Sequence, residues 1–466
     1  MQVNEEADVV IVGGGPAGAS AAHYLAQQGL DVLVLERALY PRDKVCGDGL
    51  TPRAVSELIR MAVPIRERDG WVRNYGLCAV GGGHRISVPW PELESQPNFG
   101  TAKPRKEFDH LLIRHAQQSG ARVWAGMSAT SPLIHEASGR VIGVRAHLSG
   151  QGYAHEDALL STHPLSQKRS ESEDHAKEDS HVYAPYTGKL CSSGDELLVR
   201  AKFTIDASGV SARMAKAVGR EQDKRKPMGV AVRTYFESPL ARNDYMESHL
   251  ELRSAREGQS ECLPGYAWIF PVGNGLVNVG LGSLSSRARA TGINYRAVMR
   301  QWLASTPPEW GLVPENQRGA LASAALPMAF NRQPHYAQGL ALIGDAGGMV
   351  SPFNGEGIAY ALASGRIVAE YIGQALARPQ LGQQDRVMRG FTRELKDELG
   401  GYYTLGRIFA ALIEKPEIMH LCVRYGLPRP VLMQLVMKLL SDAYDRRGGD
   451  WMDRVIAALT KAVPSA

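Results

Sequence analysis

Residues 7–36 read ADVVIVGGGPAGASAAHYLAQQGLDVLVLE. Asp8–Val12 is an apolar strand by pattern, and the small residues after it open an amphipathic helix. A second apolar run ends on Glu36. Gly13, Gly15 and Gly18, with Ala17 among them, form G-x-G-x-x-G in a strand–turn–helix setting. Such a turn lets backbone N–H groups approach a pyrophosphate at the helix N-terminus, and an acid at the end of the next strand accepts hydrogen bonds from an adenosine ribose. The glycine pattern alone is often only a flexible turn. With both strands and Glu36 in place, it predicts a Rossmann-type α/β domain that holds a dinucleotide. Its start within ten residues of the N-terminus points to FAD as an integral cofactor.

Bulk properties narrow the field. The chain has 466 residues, 44% hydrophobic and 22% charged, with net charge +5. That is the profile of a globular protein with room for two or three domains. No basic run is interleaved with stacking aromatics, so a nucleic-acid partner is not expected. Cys46, Cys78, Cys191, Cys262 and Cys422 form no C-x-x-C pair, which gives neither a metal site nor a disulfide framework and suits a reducing cytoplasm. MQVNEEADVVIV lacks a basic n-region, so no signal peptide is expected. No uncharged apolar run reaches the roughly 20 residues that span a bilayer. Membrane contact, if made, is expected to be peripheral, on the inner face of the cell membrane.

Further segments extend the cofactor site. GLALIGDAGGMVSPFNGEGIAYALASGRI, residues 339–367, reads as a strand, a Gly-Asp turn, a glycine loop and a long helix. Asp345 is placed to meet the ribityl chain of a flavin. Gly355 and Gly357 let the helix start at Ile358 approach the ring carbonyl, where the helix dipole favours negative charge. Arg105 precedes a helix and is a candidate to neutralise a phosphate, and Ala129 follows the strand Arg122–Trp124, at a position assigned to the adenine by analogy. Asp206, Gly209, Ser211 and Arg213 form another strand and turn.

These segments together resemble the FAD-dependent oxidoreductase superfamily of aromatic hydroxylases, flavin halogenases and geranylgeranyl reductases. Where the hydroxylases usually carry Asp-Gly, this chain has Ser208-Gly209, which argues against a nicotinamide-gated hydroxylase. PGYAWIFPVGNGLVNVGLG, residues 264–282, is similar to the substrate-domain signature of the geranylgeranyl reductases, Y-x-W-x-F-P followed by N-V-G. Flavin halogenases carry W-x-W-x-I-P there, from which Tyr266 and Phe270 depart. K-x-C-G-x-G, Lys44 to Gly49, resembles the family loop beside the flavin. The resemblance implies that Cys46, Gly47 and Gly49 contact FAD and that Cys46, Tyr266 and Trp268 face the substrate. Within the family, the motif set and the added C-terminal helices most resemble the menaquinone reductases.

The expected organisation is a discontinuous FAD-binding domain (1–78, 103–228 and 330–400), a β-sheet substrate domain (79–102 and 229–330) and C-terminal helices (401–466). Residues 150–197, rich in Ser, His, Glu, Asp and Lys, read as a mobile insertion. Its His155, His163, His175 and His181 fit no zinc spacing. Val431, Leu432, Leu435, Val436, Leu439 and Leu440 share one helix face, and Trp451, Met452, Val455, Ile456 and Leu459 another; a cap over the core and a membrane-surface anchor both fit.

The implied activity is reduction of isoprenoid double bonds in a polyprenyl chain, with the tail of menaquinone foremost. The electron donor, NAD(P)H or a redox protein, is left open. A monooxygenase or halogenase on the same fold, a reductase of other prenyl lipids, and a non-catalytic lipid-binding flavoprotein are the alternatives.

Overall fold

The computed structural model describes residues 2–149, 195–253, 262–285 and 292–466. β1 (Gln2–Val12) leads into α1 (Pro16–Gln27), and β2 (Val32–Glu36) returns parallel to β1, with Val9 opposite Val32 and Val12 opposite Leu35. Every residue of β2 is buried. A parallel strand covered on both faces needs an unbroken apolar run, and VLVLE supplies one. The first sheet runs Tyr336–Ala337, Leu340–Leu342, Glu196–Asp206, β1, β2, Arg122–Ala125. Met127–Ile134 and Val141–Leu148 extend it as an antiparallel arm.

β1 is longer than its apolar core predicts. Its polar start, Gln2 to Glu6, pairs residue for residue with Glu196 to Arg200, so main-chain hydrogen bonding to a long neighbour makes a strand that hydropathy does not signal. Helix Ile358–Leu376 packs on α1, where Ser20 Oγ donates to the Leu362 carbonyl at 2.8 Å. That contact brings the two glycine-rich turns side by side.

The second sheet runs Gln317–Pro327, Met228–Glu237, Leu276–Ser285, Gly265–Gly273, Met246–His249, Gly76–Gly81, His84–Pro89. Gly76–Gly81 enters it whole, pairing with both Met246–His249 and His84–Pro89. The change of unit read between residues 78 and 79 therefore falls inside a strand. The insertion expected at 150–197, with its four histidines, lies outside the described residues apart from Asp195, Glu196 and Leu197. Glu196 already opens a strand.

The boundary expected between residues 400 and 401 falls inside continuous helix. Helix Leu381–Leu395 continues through a wide turn, Lys396–Gly400, into Gly401–Ile413. The glycines serve close packing: a Cβ on Gly401 would collide with the Thr460 carbonyl oxygen of the terminal helix, Trp451–Ala462. Helix Pro430–Leu440 is tied to that terminal helix by Lys438, whose Nζ lies 2.8 Å from Asp450 Oδ2 and 2.7 Å from Asp453 Oδ1. Among the described residues, no helix is long and apolar enough to cross a membrane.

Candidate active site

Between the two sheets and the C-terminal helices lies one cavity of about 1070 Å³. It is lined by Gly13, Gly15, Ala17, Glu36, Cys46, Gly47, Gly49, Arg105, Ala129, Tyr266, Trp268, Asp345, Gly355, Gly357 and Ile358. Gly18 stands apart from that wall, buried in the first turn of α1.

At one end the turn after β1 meets Glu36. Glu36 Oε2 accepts from the Gly14 N–H at 2.9 Å and Oε1 from the Ala38 N–H at 3.0 Å, which holds the carboxylate at the cavity wall. α1 begins at Gly15 and helix Ile358–Leu376 at Gly357, and neither cap residue offers a side-chain acceptor. Their first-turn N–H groups are left for a ligand, as a pyrophosphate and a flavin carbonyl require. The cavity thus fits FAD along its length. Asp345, on the turn Gly344–Gly347, has Lys44 Nζ at 3.5 Å.

Arg105, a candidate from sequence to neutralise a phosphate, lines the cavity with its charge already engaged. Its guanidinium forks onto Asp109, Nε to Oδ1 at 2.6 Å and Nη2 to Oδ2 at 2.7 Å. Burial opposes its charge, but Asp109 outweighs burial and raises its pKa. Arg42, which sequence reasoning did not single out, joins the same carboxylate at 2.9 Å and reaches Glu36 Oε2 at 3.6 Å. Only its place in the charged loop after β2 hinted at this. Ala129 lies in strand Met127–Ile134, and its carbonyl accepts from Arg213 Nη1 at 2.8 Å.

The other end is built on strand Gly265–Gly273. Alternation puts Tyr266, Trp268 and Phe270 on one face, and all three line the cavity. Trp268 Nε1 donates to Asn278 Oδ1 at 2.8 Å. Asn278 Nδ2 then donates to the Cys46 carbonyl and to Asp48 Oδ2, each at 2.8 Å. Tyr235 Oη donates to the same Asp48 oxygen at 2.6 Å, and the Arg105 N–H to Oδ1 at 3.2 Å. Arg233 reaches back from the sheet to Asp43 Oδ2 at 2.7 Å and to the Lys44 carbonyl at 3.0 Å. The loop carrying Cys46 is therefore pinned to the substrate sheet at several points. Asp48 is their hub, and its identity in the loop carried no sequence signal of that role. Burial pushes its carboxyl up to about 6 against the hydrogen bonds from Tyr235 and Asn278.

Gly49 answers to the same packing. A Cβ there would stand 2.7 Å from Met246 Sδ and 3.2 Å from Phe270 Cδ2, so glycine lets the loop press onto the aromatic face. Cys46 is partly buried, and its Sγ accepts from the Asp48 N–H at 3.5 Å. Tyr266 Oη donates to the Asn354 carbonyl at 2.6 Å. That bond ties the aromatic wall to the loop preceding Gly355.

Beyond the aromatics the cavity becomes apolar. Met433, Val436, Met437 and Leu440 of helix Pro430–Leu440 form one wall, with Phe409 and Ile413 beside them. Leu421, Tyr425 and Leu432 line the cavity and are also exposed, which marks its opening to the surface.

Residues 6–154 match the FAD binding domain family model. The chain is 33% identical over 458 residues to the menaquinone reductase of Mycobacterium tuberculosis, covering 98% of this chain and 96% of that protein. It is 28% identical over 404 residues to a digeranylgeranylglycerophospholipid reductase of Methanopyrus kandleri, covering 84% and 85%. Among solved structures, a geranylgeranyl bacteriochlorophyll reductase-like protein of Thermoplasma acidophilum superposes with TM-score 0.71 at 19% identity, over 98% of this chain and all of that one. A flavin-dependent brominase superposes with TM-score 0.65 at 18% identity, over 98% of each chain; both likenesses speak to the fold. Full-length similarity to the reductases and the match to the FAD binding domain place the chain in the geranylgeranyl reductase family: it is an FAD-dependent oxidoreductase that acts on prenyl carbon–carbon double bonds.

Proposed function

We propose that the substrate is the isoprenoid tail of menaquinone, of which one or more double bonds are reduced. The observation that carries this reading is the likeness to menaquinone reductases along 98% of the chain, C-terminal helices included; the digeranylgeranylglycerophospholipid reductase match covers 84%. The apolar reach of the cavity, walled by helix Pro430–Leu440, supports it, because a polyprenyl chain brings apolar surface along its whole length.

Reduced FAD supplies hydride. The chain's residues supply the rest. Gly13, Gly15, Ala17, Gly18 and Glu36 hold the adenosine diphosphate half of the cofactor, with Arg105 and Ala129 lining that end. Asp345, Gly355, Gly357 and Ile358 seat the flavin, and Cys46, Gly47 and Gly49 bound it from the pinned loop. Tyr266 and Trp268 press the alkene toward the ring, since an isolated double bond reacts only when it is held in contact with the hydride source. Their π faces also favour the partial positive charge that develops on the second carbon. Cys46 is a wall of this pocket.

The chain works as a peripheral protein on the inner face of the cell membrane. Leu421, Tyr425, Val431 and Leu432 are exposed at and beside the cavity mouth, so docking this rim on a bilayer offers a prenyl tail a path that avoids water. The test is anaerobic single turnover of photoreduced enzyme with menaquinone or a digeranylgeranyl lipid in liposomes, read by mass spectrometry after reoxidation of the quinone ring. A gain of two hydrogens in the menaquinone tail is expected. Saturation of the other lipid alone would overturn the substrate assignment.

A further inference from the structure

An isolated alkene needs a proton on one carbon as hydride arrives on the other, and the proton's source is not given by the aromatic wall. Glu356 stands between Gly355 and Gly357 and lines the cavity, as does Thr51. Thr51 Oγ1 and Glu356 Oε1 are 2.7 Å apart. Glu356 Oε2 is buried and finds no hydrogen-bond partner. Thr51 precedes helix Pro52–Arg60 without capping it through its side chain, so Glu356 is the side-chain partner of its hydroxyl.

Behind this pair lies a partly buried cluster of charge. Arg53 bonds Glu398 and Asp442, each at 2.7 Å. Arg366 bonds Glu57 at 3.0 Å and lies 3.9 Å from Glu398, and Arg446 lies 3.9 Å from Asp442. The carboxylates Glu57, Glu398 and Asp442 thus use the arginines 53, 366 and 446. Glu356 is a fourth carboxyl at the same cluster, and among the described residues no cation forms an ion pair with it. A carboxyl that is buried, unpaired and short of one hydrogen bond is most stable carrying its proton. The groups that face it are Arg53, Asp442, Tyr266, Tyr360, Tyr402 and Tyr403. Burial pushes the Glu356 carboxyl up to about 7 and Asp442 adds to it, although Thr51, Arg53 and the Asn354 side chain pull it down.

Resting on the reductase reading above, we propose that Glu356 and Thr51 form the proton relay of alkene reduction. The Thr51 hydroxyl donates to Glu356 Oε1 at 2.7 Å in the structure; with Glu356 protonated on that oxygen the bond reverses, the carboxyl O–H donating to Thr51 Oγ1 and the threonine hydroxyl hydrogen turning toward the cavity. In the step, the Thr51 proton passes to one alkene carbon as hydride from the reduced flavin reaches the other. The π bond breaks, two C–H bonds form, and the flavin is oxidised as the alkene is reduced. The Glu356 proton moves to Thr51, and the carboxylate left behind regains a proton from water. Thr51 is then the catalytic residue and Glu356 the group that supplies it.

Three measurements on FAD-loaded, full-length protein test the relay. In single turnover with menaquinone, read as saturated tail by mass spectrometry, wild type is expected to slow as pH rises through about 7, the pH at which the relay loses its proton. Glu356→Gln and Thr51→Val are each expected to be on the order of 100-fold slower, with FAD content unchanged and a flat pH profile. Infrared spectra of wild type should show a protonated-carboxyl band that titrates near pH 7 and is missing from Glu356→Gln. If the glutamine variant does not fold, Thr51→Val and the wild-type titration decide. Either variant forming saturated product within about threefold of wild type, or the lack of a titrating carboxyl band, would overturn the relay and leave the substrate assignment standing. A wild type that saturates no prenyl chain would instead overturn the reading on which the relay rests, and the relay with it.

Discussion

Asn278 is fully buried and joins the Trp268 indole to two groups of the Cys46 loop, the Cys46 carbonyl and the Asp48 carboxylate. Asn278→Ala would leave the Trp268 indole N–H without its acceptor and the Cys46 carbonyl and Asp48 each short of a donor. An orphaned buried donor costs about 1–3 kcal/mol, and a hydrogen bond to a charged group is worth about 1.5–3. Allowing for a water that enters the vacated space, the expected loss at pH 8 is about 3–5 kcal/mol. The pH dependence is more telling. Asp48 has a pKa of about 6 in the fold against an ordinary 3.8, raised by burial. The native state therefore binds the proton more tightly than the unfolded chain. Ionisation removes stability as pH climbs from about 4 through 6, about 3 kcal/mol once both states are ionised. Without the Asn278 donor the native pKa moves higher still, and the loss grows above pH 6. Below pH 5, where Asp48 is neutral in the wild-type fold, the charge-assisted share of the penalty is absent. The difference between variant and wild type should then be smaller by about 1–2 kcal/mol. Urea unfolding at pH 5 and pH 8 with saturating FAD measures both. A penalty below about 1 kcal/mol, or one equal at the two pH values, would refute the role of Asn278 as the strap between the aromatic strand and the Cys46 loop.

Glu36→Arg removes an acceptor held by two backbone N–H groups and places a cation beside Arg42, so equilibrium dialysis should show FAD binding at least about tenfold weaker, 1.4 kcal/mol or more. Gly49→Ala forces Met246 and Phe270 to move; a loss of about 1–3 kcal/mol in urea unfolding is expected, and Met246→Ala in the same chain should recover part of it. Cys46→Ala should keep single-turnover reduction within about tenfold, a barrier change of roughly 1.4 kcal/mol, because the thiol is a wall and not the acid. A hundredfold loss with FAD retained would make it the acid.

What could be read in the sequence is what the chain encodes between neighbours. β1, α1 and β2 follow from buried runs and one small-residue turn. The shared face of Tyr266, Trp268 and Phe270 follows from alternation alone. What those side chains touch does not follow, because the partners come from other elements: Asp48 meets Tyr235 and Asn278 across separations of 187 and 230 residues. Gly400-Gly401 shows the same limit from the other side. Two glycines stand at the expected domain boundary, and in the fold the helix end at Thr460 makes Gly401 a packing notch within a continuous helix. Glu356 was hidden by its surroundings, since the flanking glycines of the flavin turn account for the stretch without it. Its surroundings are Thr51, Arg53 and Asp442, which the fold brings to it from the start of helix Pro52–Arg60, the residue before that helix and the C-terminal segment. The cofactor end is local and therefore legible. The end proposed to hold and protonate the substrate is assembled from distant elements, so its side-chain contacts are not written in any one stretch of sequence. The likenesses to a reductase-like protein and to a brominase, with TM-scores of 0.71 and 0.65, are likenesses of fold, and a shared fold does not by itself name the reaction.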